Sequence, residues 1–123
     1  MKTTAAALVL AGLLTGCTGA DASRIEVTRW DVAPQTPAIG VPARATVALH
    51  DGRGPLRRAR LEVEAHMAHP GMTPVIVPAH ERDGGLYEGE IRFTMSGRWT
   101  LVASATLPDG TRVTRPLGGI DVP

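Results

Sequence analysis

A repeated alternation of apolar and polar residues is the feature that most constrains how this chain folds. It is clearest in ARLEVEAH, residues 59–66, where alanine, leucine and valine take every second position and charged residues or histidine take the others. A period of two residues is typical of a β-strand that buries one face. Similar segments recur along the chain with turn residues between them, and no long helical pattern appears. The pattern therefore predicts an all-β chain.

We predict seven short strands within about 100 residues. They span residues 24–32, 41–50, 59–66, 73–80, 86–94, 97–107 and 111–122. This spacing is typical of an immunoglobulin-like antiparallel β-sandwich, and a small open barrel is the alternative. On the predicted strands, the side chains of Val41, Tyr87 and Phe93 fall at inward positions, as does every second residue from Trp99 to Leu107.

Two of the seven strands depart from the simple pattern. In the first, Ile25, Val27 and Arg29 share one face, so the alternation does not decide which face is buried. The fourth strand contains two prolines. Because proline cannot donate a hydrogen bond to a neighbouring strand, we expect residues 73–80 to form an edge strand or a loose segment.

The chain begins MKTTAAALVLAGLLTGC, a lysine followed by an apolar run that is typical of a secretory signal. The run ends in LTGC, which has the form of a bacterial lipobox, in which cleavage precedes a cysteine that carries diacylglycerol on its sulfur. The alternatives are a plain signal peptide with an unrelated cysteine, or an uncleaved anchor. We predict a lipoprotein signal peptide at 1–16, a lipidated tether at 17–23 and one domain at 24–123.

Lipidation of Cys17 has consequences for the rest of the chain. Cys17 is the single cysteine, so the domain has no disulfide and depends on its core for stability. One diacylglycerol carries two acyl chains, which are sufficient for stable anchoring to a membrane. The residue after the cysteine is Thr18 and not an aspartate. By resemblance to lipoproteins of bacteria with two membranes, this residue predicts an exported protein held at the outer membrane and facing the periplasm.

The charged residues argue against nucleic acid as a partner. Beyond the predicted cleavage site twelve arginines balance twelve acidic residues, so no strongly basic domain is present. The densest basic run is RGPLRRAR, residues 53–60, and we interpret it as a solvated loop and strand face because LEVE follows it. No Ser/His/Asp spacing, phosphate-binding glycine loop or paired set of carboxylates stands out, so we expect no enzyme.

The stretch HMAHPGM contains two histidines and two methionines around a Pro-Gly pair. Proline followed by glycine favours a type II turn, which places His69 and Met72 at its first and fourth positions, with Cα atoms within about 7 Å. His66 could join them, and Met67 or Met95 could supply a further sulfur. Imidazole and thioether ligands suit copper better than calcium or magnesium. Zinc, through histidine, is the alternative.

The arrangement of the strands also bears on this site. If every connection reverses direction, the loops after strands one, three and five lie at one end, so Met95 joins HMAHPGM there and His50 and His80 lie opposite. Methionines at the end of a sandwich also serve as gap fillers at the rim of a core. A histidine at the end of a strand is often simply solvated. The loop is therefore either a copper site or an ordinary turn.

Several short motifs in this chain resemble the YtkA-like family, which is related to FixH-type proteins. They are Gly71 and Met72 in the loop, the G-x-Y of residues 85–87, and the F-x-M-x-G-x-W of residues 93–99. The resemblance covers roughly residues 41–107. It implies a small secreted or membrane-attached β-sandwich with a role in copper handling or in respiratory oxidase assembly.

A non-metal binding module is the second functional hypothesis. In this interpretation a lipid-tethered sandwich binds another envelope protein through an edge strand, for which residues 73–80 are the candidate. Metal content after gentle purification distinguishes the two hypotheses.

Overall fold

A computed structural model describes residues 22–123, so Cys17 and the predicted signal peptide lie outside the described part of the chain. The elements are a short 3-10 helix at Ala22–Arg24 and seven strands: β1 Glu26–Ala33, β2 Ala43–His50, β3 Arg60–Met67, β4 Val75–Asp83, β5 Leu86–Ile91, β6 Gly97–Thr106 and β7 Arg112–Val122. The all-β prediction of seven strands is confirmed. No helix within these residues is long and apolar enough to cross a bilayer.

The strands pair only antiparallel, in the spatial order β1-β2-β5-β4-β3-β6-β7. β4 belongs to both layers of the sandwich because it changes partner midway. Its first part, Val75 to Ala79, pairs with β3, and its last part, from His80 onwards, pairs with β5. β1, β2 and β5 therefore form one layer with the end of β4, and β3, β6 and β7 form the other with its beginning.

The core lies between the two layers and consists of the residues that the alternation placed inward. In β3 and β6 every predicted inward position from Leu61 to Ala65 and from Trp99 to Leu107 is buried. The largest fully buried side chains are Trp99, Tyr87 and Phe93. The rings of Phe93 and Trp99 meet edge to face, with centroids 5.5 Å apart and planes at 63°. Such aromatic contacts stabilise a core beyond the area they bury.

A bulge in β1 explains why its register was ambiguous in the sequence. The pairing of β1 with β2 shifts between Val27 and Arg29. Before the shift Ile25 is buried, and after it Val32 is buried and Trp30 is half-buried, while Arg29 is exposed. A bulge adds one residue to one strand and so moves the following side chains to the opposite face.

The proline-bearing segment was predicted to form an edge strand or a loose segment, and the first part of β4 is an edge strand. From Val75 to Ala79, β4 pairs with β3 on one side, and no pairing on its other side is found within residues 22–123. The strand then continues to Asp83, where it pairs with β5 on one side only. The apolar residue Val41 was predicted to face the core, but it precedes β2 and is 50% exposed.

A long connection between β2 and β3 is held by two side chains of other strands. The hydroxyl of Tyr87 donates to the carbonyl of Leu56 at 2.8 Å and accepts from the N–H of Ala59 at 3.1 Å. The carboxylate of Glu81 accepts from the N–H of Arg58 at 3.0 Å and from that of Gly85 at 3.1 Å. The connection is therefore a fixed part of the fold.

Candidate functional site

The sandwich has two ends, which we name by what they carry. The methionine end consists of the connections after β1, β3 and β5, residues 34–42, 68–74 and 92–96. The N-terminal end consists of Ala22–Arg24 and the connections 51–59, 84–85 and 107–111. Because all strand pairs are antiparallel, the prediction that Met95 shares an end with HMAHPGM is confirmed. His50 closes β2 at the N-terminal end, where its Nδ1 accepts from the N–H of Gly52.

The turn predicted at Pro70-Gly71 is present. The N–H of Met72 donates to the carbonyl of His69 at 3.4 Å, and Gly71 has a φ of 80°. This positive φ is the value that the third residue of a type II turn requires. The side chain of His69 is exposed and that of Met72 is half-buried. The backbone thus brings the two candidate ligands together at the surface.

Met67 and Met95 are each connected to Trp99, one by strand pairing and the other by a hydrogen bond. Met67 is opposite Trp99 in the pairing of β3 with β6 and packs against the core. A Cβ built on Gly97 would lie 2.7 Å from Met67 Cε, so Met67 covers this glycine. Met95 is 46% exposed, and its carbonyl accepts from Trp99 Nε1 at 3.0 Å. Both methionines therefore belong to the rim of the sandwich at the methionine end.

His66 faces away from this rim. It is exposed on the outer side of β3, where its Nε2 lies 3.5 Å from Oε2 of Glu64. Because successive side chains of a strand point to opposite faces, His66 and Met67 lie on opposite sides of β3. A single ion at the turn can thus use either Met67 or His66 without rearrangement of β3, but not both.

The candidate ligands are of mixed type. Within residues 22–123, no group of three or more His, Cys, Asp or Glu side chains is placed to hold a metal ion. The ligands that the turn and the rim bring to one end are one imidazole, on His69, and the thioethers of Met72, Met67 and Met95. Thioethers favour Cu(I) over hard cations such as calcium and magnesium. The arrangement is suited to a soft, monovalent metal ion.

An exposed apolar rim at the same end as the turn was missed in the sequence analysis. Ile39, Val41 and Met95 are three of the four large apolar residues that are exposed within residues 22–123, and all three lie at the methionine end. The N–H of Gly40 donates to the carbonyl of Phe93 at 2.9 Å and joins the two connections that carry them. The signal was the apolar loop PAIGVP, whose last residues we assigned to an inward-facing strand.

Comparison with known proteins supports the fold and the family. A family described as YtkA-like matches residues 23–103, which is more than half of the chain and includes β1. The crystal structure of the Lin-41 filamin domain is similar to this chain, with a TM-score of 0.54 at 19% sequence identity. The match covers 86% of this chain and 98% of that one, and it shows a shared fold alone. No curated protein matches the chain.

Proposed function

Because the chain belongs to the YtkA-like family, we propose that it is an envelope lipoprotein whose sandwich binds copper at the methionine end. In this proposal the diacylglycerol on Cys17 holds the protein at the outer membrane, facing the periplasm. The domain is not an enzyme; it carries copper, and the family resemblance connects that role to respiratory oxidase assembly.

The turn formed by residues 69–72 is the observation that supports copper binding most directly. It places one imidazole and one thioether at the first and fourth positions of a four-residue turn, close enough to share one ion. Met67 and Met95 at the adjacent rim can supply sulfur for a third ligand. A set of this kind suits Cu(I), because monovalent copper prefers sulfur and accepts a low coordination number. Cu(II) would instead favour the histidines, with His66 as the additional ligand.

Titration of the purified lipoprotein in detergent with Cu(I), against a competing chelator, tests the copper site. We expect one ion per chain, and at least tenfold weaker binding in His69→Ala and in Met72→Ala, since each loses one of the few ligands. Met67→Ala and His66→Ala show whether the third ligand is the thioether of Met67 or the imidazole of His66, because these two side chains lie on opposite sides of β3.

His50→Ala and His80→Ala are the matched controls. They also remove one imidazole each, but from positions outside the methionine end. Equal affinity in all of these variants would contradict the copper proposal and leave the turn without a role in metal binding.

Mass spectrometry of the purified amino terminus tests the lipid anchor. We expect a mature chain that begins at Cys17 and has gained the mass of a diacylglyceryl group. Cys17→Ala should remove the modification and block cleavage before residue 17. An unmodified Cys17, or a chain processed elsewhere, would contradict the anchor without affecting the copper site.

The split in β4 supports the second candidate, a site for another envelope protein. The first part of β4 pairs with β3 but not with β5, so it has a free edge. This edge borders an open cleft of about 670 Å³. The cleft is lined by residues of both layers, including Arg44, Val77, Pro78 and Glu90. An extended segment could pair with the free edge, as occurs in β-strand addition. Of the adjacent amides of Val75 and Ile76, one points towards β3 and the other towards the free edge. Protection of the edge-facing amide from hydrogen exchange on adding envelope extract, without copper, would favour this candidate.

A further inference from the structure

We propose that the N-terminal end of the sandwich binds the anionic surface of the membrane that holds the lipid anchor, so that the methionine end points away from it. The inference rests on the proposed lipidation of Cys17. It assigns an electrostatic role to the arginines of residues 53–60, which the copper proposal leaves without one.

The chain enters the domain at the N-terminal end and is held there. The guanidinium of Arg115 on β7 donates from Nε to the carbonyl of Ile25 at 2.9 Å and from Nη2 to that of Ala22 at 2.8 Å. Ala22 is therefore fixed to the sandwich. Only residues 18–21 separate it from Cys17, a distance of at most about 18 Å when fully extended. The N-terminal end cannot move further than this from the lipid headgroups.

Positive charge is concentrated at this end. It carries more arginines than acidic residues, four against two: Arg24, Arg53, Arg57 and Arg58 against Asp51 and Asp109. Residues 22–123 contain twelve arginines and eleven acidic residues in all. The N-terminal end thus has an excess of two positive charges, and the rest of the described chain has eight arginines against nine acidic residues, an excess of one negative charge.

The acidic and basic groups at and next to this end differ in the bonds they make. The carboxylates of Asp51, Glu81 and Asp109 accept backbone N–H bonds within their own turns or from the adjacent connection. In contrast, Arg53 and Arg57 are exposed, and neither takes part in an ion pair within residues 22–123. The arginine heads are therefore available to phosphate groups outside the protein.

A shallow depression lies among these arginines. It has a volume of about 390 Å³, and Arg57, Arg58 and Arg82 line it together with Glu81 and Asp83. Arg58 has a φ of 61°, which is unusual for a residue with a side chain, and its N–H is held by Glu81. This backbone conformation presents consecutive arginines at the surface of the N-terminal end. Guanidinium groups in such an array bind phosphate oxygens well.

Distances decide which end meets the membrane. At physiological salt the Debye length is about 8 Å, so only charges close to the headgroups are attracted. A strand of eight residues such as β3 is about 26 Å long, which is more than the tether can reach. With the strands upright, contact between the methionine end and the membrane would hold Ala22 about 26 Å from the headgroups, beyond the reach of the tether. A small charge excess is sufficient because the anchor makes the contact intramolecular.

Energy transfer from a labelled domain to labelled lipid headgroups tests this orientation. The lipidated chain is reconstituted in vesicles of phosphatidylcholine alone or of phosphatidylcholine with phosphatidylglycerol. A donor dye is attached to Pro108→Cys at the N-terminal end or to Ser96→Cys at the methionine end, since the sulfur of Cys17 is alkylated and does not react. We expect phosphatidylglycerol to raise the transfer efficiency from position 108 but not from position 96.

Charge variants of equal net charge make the test specific. In the double variant Arg53→Gln, Arg57→Gln, phosphatidylglycerol should no longer raise the transfer efficiency from position 108. The reason is that each lost arginine weakens binding to an anionic surface about fivefold. The double variant Arg92→Gln, Arg98→Gln, at and next to the methionine end, should show the same rise in transfer efficiency as the natural protein. About 1 M salt should also abolish the rise, since the Debye length falls to about 3 Å. Equal transfer in both vesicles from an anchored protein would overturn the inference, whereas failure to bind either vesicle would contradict the lipid anchor itself.

Discussion

Glu81 is the residue on which the N-terminal end most directly depends. Its two carboxylate oxygens accept hydrogen bonds from the N–H groups of Arg58 and Gly85. The bond from Arg58 and then that from Gly85 lower the pKa of Glu81 from its usual value of 4.5. Burial opposes them with the next largest effect, and the charges of Arg57 and Arg58 lower the pKa a little further. A single ionised carboxylate therefore joins β4 to two connections and supports the backbone conformation of Arg58.

The stability of the protein should depend on the ionisation of Glu81. A carboxyl whose pKa is lower in the folded state stabilises that state above its usual pKa, and the contribution is lost as pH falls through the lowered value. In Glu81→Gln the carboxamide can accept only one of the two bonds. We expect this variant to be less stable than the natural protein at pH 7 and the difference to shrink below about pH 4.5.

Urea unfolding at a series of pH values measures this dependence. Glu90→Gln is the control, because the ion pair of Glu90 with Arg92 at 3.3 Å is exposed on both sides and such pairs contribute little. A stability difference for Glu81→Gln that is the same at pH 3 and pH 7 would show that the charge of Glu81 has no role.

At the scale of elements, the division of β4 between two layers determines the shape of the sandwich. β5 passes so close to β4 at the change of partner that only glycine fits at position 89. A Cβ on Gly89 would lie 2.5 Å from the carbonyl oxygen of Pro78. This approach joins the layers on one side, and on the other side Trp30 covers Gly118 where β1 meets β7. The glycines mark two close contacts between the layers, with a backbone carbonyl at Gly89 and with the side chain of Trp30 at Gly118.

Gly89→Ala should destabilise the fold by about 1–3 kcal/mol, the usual cost of inserting a methyl group where no space exists. The carbonyl of Pro78 is part of the backbone and cannot move away as a flexible side chain would. Gly54→Ala is the matched control, because nothing lies within 4 Å of its added Cβ. It should change the free energy of unfolding by no more than about 0.5 kcal/mol. Equal urea midpoints for the two variants would show that β4 and β5 can separate at this point.

For the whole molecule, Trp99 connects the core to the methionine end. Its ring packs against Phe93, and its Nε1 donates to the carbonyl of Met95. Met95 lies in the connection after β5, and its thioether is one candidate ligand. Met67 lies opposite Trp99 on the neighbouring strand. A domain without a disulfide depends on such contacts for stability, and here the same contacts also position the rim of the candidate copper site.

Trp99→Ala should lower the free energy of unfolding by about 3–5 kcal/mol, which is typical of a large core truncation. Since domains of this size are stable by only about 5–15 kcal/mol, a large fraction of the total would be lost. Trp99→Phe keeps most of the buried ring and removes the hydrogen bond to Met95, so it should cost much less. An unchanged urea midpoint in Trp99→Ala would contradict the inward position of this side chain.

Much of the candidate site could be predicted from local sequence. Pro70 and Gly71 decide the turn that joins His69 to Met72, because φ preferences act within a few residues. The opposite directions of His66 and Met67 follow from strand alternation, but only once the end of β3 is known to extend to Met67. The exposed rim at Ile39 and Val41 could not be predicted, because an apolar pair next to a strand resembles a continuation of that strand.

The sequence by itself determined that the chain has seven strands, which residues of β3 and β6 face the core, and where the His69–Met72 turn forms. These features depend on side-chain period and on backbone preferences, which act over neighbouring residues. Only the tertiary structure decided the bulge in β1, the change of partner in β4, and the gathering of arginines at the end where the chain enters. Each of these depends on which distant strand lies alongside, and a contact between residues far apart in sequence leaves no periodic signal in either of them.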